Sequence, residues 1–380
     1  MYAKVIVEIT AKAVDKMFTY QIPSNMISKI KIGSRVKVPF GYQKLEGFVI
    51  EITNQLEEDY ELKEIEELVD ETPILNEEML WLGKIIATKL LCSRISIYQA
   101  MLPKALKASN KTEIKKKMNH YLILDWSKED LSNYLKKCRY EGQKKVLENF
   151  LVKKELLITR QDSSIKTILK KGICHLETRE SYRYQYETDK TDKKVILNEE
   201  QQKAVSKVLS SLNQEKIFLL YGVTGAGKTE VYMNIIKGVI EQGKTAIMLV
   251  PEISLTPQIV ERFILRFGQD VAILHSGLSE GEKYDEYRKI KNGEVHIVVG
   301  ARSAIFAPLK NIGIIIIDEE HSSTYKQDNN PRYHARDVAI LRGQYHHAPI
   351  VLGSATPSLE SMARAQKKVY ELLTLTKRAG

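Results

Sequence analysis

A glycine-rich octapeptide, residues 222–229, is the part of this sequence best suited to chemistry. It reads Gly-Val-Thr-Gly-Ala-Gly-Lys-Thr and fits the phosphate-binding pattern G-x-x-x-x-G-K-[ST]. A short apolar run, 217–221, precedes it, and a helical pattern begins near Glu230. A strand, a glycine loop and a helix start aim backbone N–H groups and the helix dipole at one anion. The sequence therefore predicts a nucleoside triphosphate site.

The residue types in this loop divide the work of holding ATP. Lys228 is expected to hold the β- and γ-phosphates, and the Thr229 hydroxyl is expected to ligate Mg²⁺. The backbone around them supplies the remaining N–H donors. The predicted phosphate contacts are Gly222, Thr224, Gly225, Gly227, Lys228 and Thr229.

An acidic motif, Asp-Glu-Glu-His at residues 318–321, follows the apolar run 314–317, which consists of four isoleucines. Ligands of an open α/β sheet bind at the carboxyl ends of its strands, where this motif would lie. There Asp318 is placed to hold Mg²⁺, and Glu319 to orient or deprotonate the attacking water. The alternative is an acidic loop that only ends a strand.

A third motif, Gly-Ser-Ala-Thr-Pro at residues 353–357, also follows an apolar run. Ser354 and Thr356 could hydrogen-bond both to the acidic motif and to a neighbouring domain, and so couple the two. The alternative is an ordinary turn between a strand and a helix, because Ser, Gly and Pro favour turns.

The positive charge of the chain is confined to its middle. The 380 residues have a formal net charge of +10, and residues 101–195 alone contain 23 Lys and Arg against 13 Asp and Glu. A nucleic-acid partner explains this excess, although a lysine-rich solvated surface is the alternative. No apolar run approaches the length of a membrane span, so no membrane partner is expected. Cys92, Cys138 and Cys174 are widely spaced, which favours a reducing cytoplasm over a zinc or disulfide framework.

Three blocks make up the predicted architecture, a multidomain α/β chain. Residues 1–106 contain four strand-like runs and a helical end, which indicates a small β-rich domain. Residues 107–194 form a basic, helix-rich block with linkers, one of them at 188–194, and could be a winged-helix-like domain. Residues 195–380 alternate six strand candidates with helices, which predicts a parallel, doubly wound P-loop lobe.

These motifs resemble motifs I, II and III of superfamily 2 helicases. Longer stretches resemble the sequence motifs of a narrower family, the primosomal replication-restart DNA helicases, or PriA family. The resemblance reaches the N-terminus and extends over all 380 residues. The similar stretches are GVTGAGKTEVY (222–232), LVPEISLTPQ (249–258), VGARSAIFAP (299–308), DEEH (318–321), YKQ (325–327), PRYHARD (331–337), FTY (18–20) and VKVPFG (36–41).

The resemblance implies roles for further residues. Gln201 falls in the segment that reads the adenine base, although it also fits a helix N-terminal cap. Residues 322–336 resemble the aromatic-rich loop that couples single-stranded DNA to ATP hydrolysis, where aromatic rings can stack on bases and cations can hold phosphates. A plain loop with aromatic side chains in the core is the alternative. The implied DNA ligands here are Arg302, Tyr325, Lys326, Arg332, Tyr333, His334 and Arg336.

In the N-terminal block the resemblance implies a pocket for the 3′ end of the nascent leading strand. Phe18, Gly41 and Lys63 fall at its stacking, close-backbone and charged positions. The family usually has an acidic residue after the aromatic one, whereas this chain has Thr19, a weaker partner for a sugar hydroxyl. Whether 3′-end capture survives this change is left open, and Phe18 could also be an ordinary core residue.

The resemblance covers only about half of the family's length. The second motor lobe, which closes the ATP cleft and supplies an arginine finger, and the paired cysteines that bind Zn²⁺ are not in these 380 residues. We therefore expect the isolated chain to hydrolyse ATP weakly or not at all.

The implied function is an ATP- and Mg²⁺-dependent 3′–5′ DNA helicase of replication restart in the bacterial nucleoid. It would bind single-stranded and forked DNA at stalled forks and D-loops. Its implied partners are single-stranded-DNA-binding protein and the primosome proteins that reload the replicative helicase. The alternatives are another superfamily 2 translocase, such as an RNA helicase, and a fork-binding scaffold without turnover.

Overall fold

The computed structural model describes residues 1–9, 15–55, 62–109, 114, 116–183 and 195–378. It divides into two compact units, one of Met1–Glu113 with Tyr186–Gly380 and one of Ile114–Gln185. The linker predicted at 188–194 lies outside the described residues. Within the described ranges, no helix is both long and apolar enough to cross a membrane.

The first unit opens with a five-stranded antiparallel sheet in the order β2-β1-β4-β3-β5. Strand alternation directs Val5, Val36 and Val38 into one buried core. Two helices follow, α1 (Glu77–Leu90), capped by the Asn76 side chain, and α2 (Arg94–Met101). The strands are β1 (Tyr2–Val7), β2 (Phe18–Gln21), β3 (Arg35–Phe40), β4 (Gln43–Thr53) and β5 (Glu67–Leu68).

The second unit packs three helices against a three-stranded antiparallel sheet in the order β7-β6-β8. Leu131, Leu147, Phe150 and Ile168 fill its small core. The three helices agree with the helix-rich content expected for the basic middle of the chain, while the winged-helix-like assignment stays a prediction. Its elements are β6 (Lys117–Leu124), α3 (Lys128–Lys137), α4 (Glu141–Val152), β7 (Glu155–Ile158), α5 (Ser163–Lys170) and β8 (Cys174–Ser181).

The remainder of the first unit is a parallel sheet of seven strands in the order β11-β12-β10-β13-β14-β9-β15. Every residue of β13 is buried, as both faces of a central parallel strand require. The sequence predicted six of these strands and missed β15. The strands are β9 (Ile217–Gly222), β10 (Thr245–Leu249), β11 (Val271–Leu274), β12 (Ile297–Gly300), β13 (Ile312–Ile317), β14 (Ile350–Ser354) and β15 (Glu371–Leu375).

Helices cover both faces of this sheet, so neighbouring residues of one strand pack into different cores. Ile315 and Ile317 join one apolar cluster, whereas Ile314 and Ile316 join the other. This is the doubly wound, RecA-like lobe that the alternating pattern predicted, and the α/β fold class is confirmed. The helices are α6 (Glu199–Leu209), α7 (Lys228–Ile240), α8 (Pro257–Phe267), α9 (Glu280–Asn292), α10 (Ala335–His346) and α11 (Leu359–Gln366).

Candidate functional site

Strand order brings the three motifs of the parallel sheet together. Strand β14 lies between β9 and β13, with parallel pairing on both sides. The glycine loop follows β9, Ser354 ends β14, and the acidic motif follows β13. Since the carboxyl ends of parallel strands share one edge, motifs far apart in sequence line a single site.

The glycine loop has the shape that a phosphate ligand needs. Gly225 and Gly227 have φ values of +80° and +77°, a region that residues other than glycine rarely adopt. Helix α7 starts at Lys228, so its free N–H groups lie at the loop. The Lys228 amine donates to the Gly222 carbonyl at 3.0 Å and lies 3.8 Å from the Glu319 carboxylate. The donors present fit a triphosphate.

Asp318 lies across this edge in a half-buried position. The buried hydroxyl of Tyr232, on α7, donates to Asp318 Oδ1 at 2.9 Å. Burial raises the pKa of the Asp318 carboxyl to about 6, while the Tyr232 hydrogen bond opposes the rise. A bound cation would favour the charged form, and this acid and the Thr229 hydroxyl fit the oxygen ligands that Mg²⁺ prefers. Tyr232 was missed from sequence, although its i+4 spacing from Lys228 places both on one helix face.

Glu319 sits where a catalytic carboxylate is expected, and its backbone is strained. Its φ is +44°, an uncommon value for a residue other than glycine. Ser354 Oγ lies 3.5 Å from the Glu319 carboxylate and 2.8 Å from His321 Nδ1. The backbone N–H of Thr356 donates to the same Ser354 oxygen at 3.0 Å. Ser354 thus contacts the acidic motif, while coupling through the Thr356 hydroxyl stays a prediction.

The next acid along the chain, Glu320, has a different environment. It is 2% exposed and accepts hydrogen bonds from the Ser358 N–H at 2.7 Å and the Ser361 hydroxyl at 2.9 Å. Arg336 lies 3.5 Å from it. Glu320 therefore anchors the segment after Ser354, and the sequence offers no signal that separates it from Glu319.

Gln201 occupies an N-terminal cap of α6 that contacts the glycine loop. Its carbonyl oxygen accepts the Asn198 N–H at 2.9 Å, and its amide donates to the Ala226 carbonyl at 2.9 Å. The capping interpretation of this segment is thus observed. Both polar atoms of the side chain are already bonded, and recognition of adenine by Gln201 stays a prediction.

The two tyrosines of the aromatic-rich loop, residues 322–336, are packed inside the lobe. Tyr325 is 1% exposed and donates to the Asp318 carbonyl at 2.6 Å. Tyr333 is 3% exposed and packs edge-on against Phe306. Stacking of DNA bases on either ring stays a prediction that requires the loop to open. The bond from Tyr325 joins this loop directly to the acidic motif.

The cationic and imidazole side chains of this region differ in exposure, and the exposed Arg332 is also bonded, since its Nε donates to the Asp328 carbonyl at 3.0 Å. Arg302 donates to the Lys326 carbonyl at 2.7 Å, and Arg336 pairs with Glu360 at 2.7 Å. His334 caps α10 through Nδ1, and burial lowers its pKa. The side chains of Lys326 and Arg332 are exposed, which makes them the accessible phosphate ligands among the predicted set.

Two of the three residues of the predicted 3′-end pocket, Gly41 and Lys63, are in contact, and Phe18 packs against Phe40, which precedes Gly41. Phe18 starts β2, and Gly41 lies in the two-residue turn between β3 and β4, with φ +58°. The segment at Lys63 runs beside the end of β2, and the Lys63 amine reaches the Gly41 carbonyl at 3.4 Å. The neighbouring Thr19 is 9% exposed. A pocket formed by Phe18, Gly41 and Lys63 stays a prediction.

Across the described ranges, no cluster of three or more His, Cys, Asp or Glu residues could hold a metal ion. Cys92, Cys138 and Cys174 are free thiols. An Mg²⁺ site at Thr229 and Asp318 would therefore depend on ligands that a bound nucleotide brings.

Two protein-family models match the chain. Residues 4–103 match the model described as "3'DNA-binding domain (3'BD)" of PriA. Residues 194–359 match "Type III restriction enzyme, res subunit". The two matches contain the candidate 3′-end pocket and the glycine-loop site, respectively.

Curated relatives extend the similarity over the whole chain. Replication restart protein PriA of Bacillus subtilis is 42% identical over 100% of this chain and 56% of its own length. The protein of the same name from Chlamydia pneumoniae is 36% identical over 100% of this chain and 52% of its own. A solved structure of RecG bound to a three-way DNA junction covers 49% of this chain and 24% of its own, at 23% identity and a TM-score of 0.37. The chain spans about half the length of the curated relatives it matches.

Proposed function

The chain belongs to the PriA family, and on that premise we propose that it is part of an ATP-dependent 3′–5′ DNA helicase of replication restart. The intact protein would recognise stalled forks and D-loops and help reload the replicative helicase. The observation that carries this proposal is the pairing, in one unit, of a 3′DNA-binding match with a glycine-loop site. The Lys228 amine in that site lies 3.8 Å from Glu319, as expected for groups that act on one phosphate.

ATP is the proposed ligand of the sheet edge. Lys228 would hold its β- and γ-phosphates, and the left-handed glycines let the backbone approach them closely. Mg²⁺, held by Thr229 and Asp318, would neutralise phosphate charge. Glu319 would orient the attacking water, and Gln201 would contact the base. The remaining proposed phosphate contacts are Gly222, Thr224, Gly225 and Gly227.

DNA is the proposed ligand of two surfaces. The Phe18-Gly41-Lys63 pocket would take the 3′ end of a nascent strand, and its lysine amine would neutralise a phosphate. The exposed Lys326 and Arg332 would hold single-stranded DNA near the ATP site. Because the Tyr325 hydroxyl donates to the Asp318 carbonyl, a movement of residues 322–336 when DNA binds would be transmitted to the ATP site. Single-stranded-DNA-binding protein and helicase-loading proteins are the proposed protein partners in the nucleoid.

Fork binding by the 380-residue chain tests the DNA half of this proposal. Affinity should be higher for a fork whose nascent strand ends in a free 3′-hydroxyl than for the same fork with a blocked 3′ end. Fluorescence anisotropy at a fixed salt concentration measures the difference. Equal affinities would remove the 3′-end assignment, and a preference for RNA over DNA would favour another superfamily 2 translocase.

ATP turnover tests the other half. DNA-stimulated hydrolysis should be present in the intact protein and weak in the 380-residue chain, because a motor of this class closes its cleft with a second lobe. Fork binding without turnover in both proteins would instead establish a fork-binding scaffold.

A further inference from the structure

We propose that Tyr42 is a stacking platform for a nucleobase at the DNA end held by the Phe18-Gly41-Lys63 pocket. This inference rests on the proposed 3′-end binding and adds a residue to it. Tyr42 and Gly41 form the two-residue turn that joins β3 to β4. The candidate pocket and the proposed platform therefore share one turn.

The exposure of Tyr42 is the first observation. Its relative exposure is 110%, the highest of the exposed large apolar side chains in the part of the chain that the structure describes. An aromatic ring wholly in water makes no contribution to a core, and both of its faces are open. Such rings on a nucleic-acid-binding surface stack with bases of any sequence, because every base has a flat π face.

The space around the turn is the second observation. Among the described residues, no atom lies within 4 Å of a Cβ added to Gly41, so they leave the region over this residue open. The Gly41 carbonyl is already tied to the Lys63 amine at 3.4 Å, which places a positive charge beside the turn. An open backbone, an exposed ring and an ammonium group together suit a nucleotide: stacking for its base and charge for its phosphate.

The packing of Phe18 is the third observation. Its ring meets the Phe40 ring edge-on at 5.0 Å, and the Lys16 amine lies 5.3 Å from its centre. Phe18 is therefore partly occupied by its own neighbours, whereas Tyr42 is not. The geometry suits Phe18 as a wall of the pocket and Tyr42 as the ring that a base covers.

The hairpin also holds the backbone of the turn in place. Strands β3 and β4 pair up to Phe40 and Gln43, directly flanking the turn. The Tyr20 hydroxyl donates to the Pro39 carbonyl at 3.1 Å, which fixes the end of β3 against β2. The backbone of this turn is therefore already ordered, and stacking of a base has to fix only the two side-chain torsions of Tyr42.

The test uses the 380-residue chain and forks that carry 2-aminopurine at the 3′-terminal nucleotide, at the penultimate one, or opposite them in the template. Tyr42→Ala should weaken binding to the free 3′-hydroxyl fork about 5- to 100-fold, the range for loss of one base–aromatic stack. Tyr42→Phe should keep the affinity, and Tyr42→Leu should lose it. Binding should change 2-aminopurine fluorescence at one position, in the wild type and Tyr42→Phe only.

Because Tyr42 is fully exposed, these variants should unfold at the wild-type temperature, which circular dichroism checks. Unchanged affinity and fluorescence in Tyr42→Ala, with the preference for a free 3′ end retained, would overturn this inference alone. Equal affinity of the wild type for forks with a free and a blocked 3′ end would overturn the proposed 3′-end binding itself. An equal effect of Tyr42→Ala on a duplex without a nearby 3′ end would also remove Tyr42 from the end site.

Discussion

The hydroxyl of Tyr232 donates a 2.9 Å hydrogen bond to Oδ1 of Asp318, across the edge of the parallel sheet. Tyr232 is buried and Asp318 is half-buried, so competition from water for this bond is reduced. Gly353 makes room for it, since a Cβ there would lie 1.6 Å from the Tyr232 hydroxyl oxygen. The helix after the glycine loop, the acidic motif and the third motif are thus mutually dependent.

Tyr232→Phe should reduce ATP turnover in the intact protein by about tenfold, because it removes the donor that orients Asp318. The Mg²⁺ concentration for half-maximal activity should rise. The hydrogen bond opposes the burial-induced rise in the Asp318 pKa, so its loss should move that pKa further up. Magnesium titrations of ATPase activity at several pH values measure both effects. An unchanged magnesium requirement would show that the tyrosine only fills space.

Gly353→Ala should be more harmful than Tyr232→Phe, since the added methyl group displaces the whole ring rather than one oxygen. Thermal unfolding compared with the wild type reports the loss of packing. Equal stability of the two variants would contradict the close fit between Gly353 and Tyr232.

Glu319→Gln should retain ATP binding and lose hydrolysis by about 100-fold or more, the usual scale for removal of a general base. Glu320→Gln is the matched control, because that neighbour bonds to Ser358 and Ser361 instead of facing the nucleotide site. It should lower the unfolding temperature more than Glu319→Gln does. Single-turnover hydrolysis and calorimetry separate the two roles, and rapid turnover by Glu319→Gln would remove it as the catalyst.

Lys228→Ala should weaken ATP binding at least about tenfold, because a charged phosphate contact is lost. In the intact protein, DNA-stimulated hydrolysis should be abolished. Fork affinity measured without nucleotide should stay at the wild-type value, since the other DNA surfaces are untouched. Retained hydrolysis would contradict the assignment of this lysine.

Glu78→Gln should destabilise the first unit by about 3–5 kcal/mol, because it leaves the buried charge of Arg342 without a charged partner. Glu78 and Arg342 form a doubly hydrogen-bonded pair at 2.6 and 2.9 Å between α1 and α10. Replacing both residues by leucine should recover part of the loss. Urea unfolding at neutral pH measures the stability of the single and the double variant. A double variant as unstable as the single one would contradict the loss of a charge partner as the cause.

The same pair predicts an acid transition. Burial alone would raise the pKa of Glu78, but the Arg342 guanidinium and the His346 ring together outweigh it and lower that pKa from 4.5 to about 2. The carboxylate therefore stabilises the fold fully above pH 4.5, and its contribution disappears as the pH falls toward 2. The wild type should lose more stability over this interval than Glu78→Gln, and parallel curves for the two would contradict the shift.

The sequence by itself determined the elements and the chemistry available to them. The spacing of Gly222 to Thr229 after an apolar run specifies a phosphate loop, and four consecutive isoleucines specify a central strand, because these are local patterns of backbone freedom and burial. The position of Asp318 at the end of that strand follows from the same local pattern. Strand β15 was missed because its outer positions are partly exposed, as in an edge strand.

Only the tertiary structure decided which side chains meet. The insertion of β14 between β9 and β13 brings Ser354 to Glu319, and strand order is a long-range property that no local pattern contains. The bond from Tyr232 to Asp318 spans 86 residues, and the one from Arg342 to Glu78 spans 264. Burial of Tyr325 and exposure of Tyr42 were likewise set by packing, since both rings carry the same chemistry in the sequence.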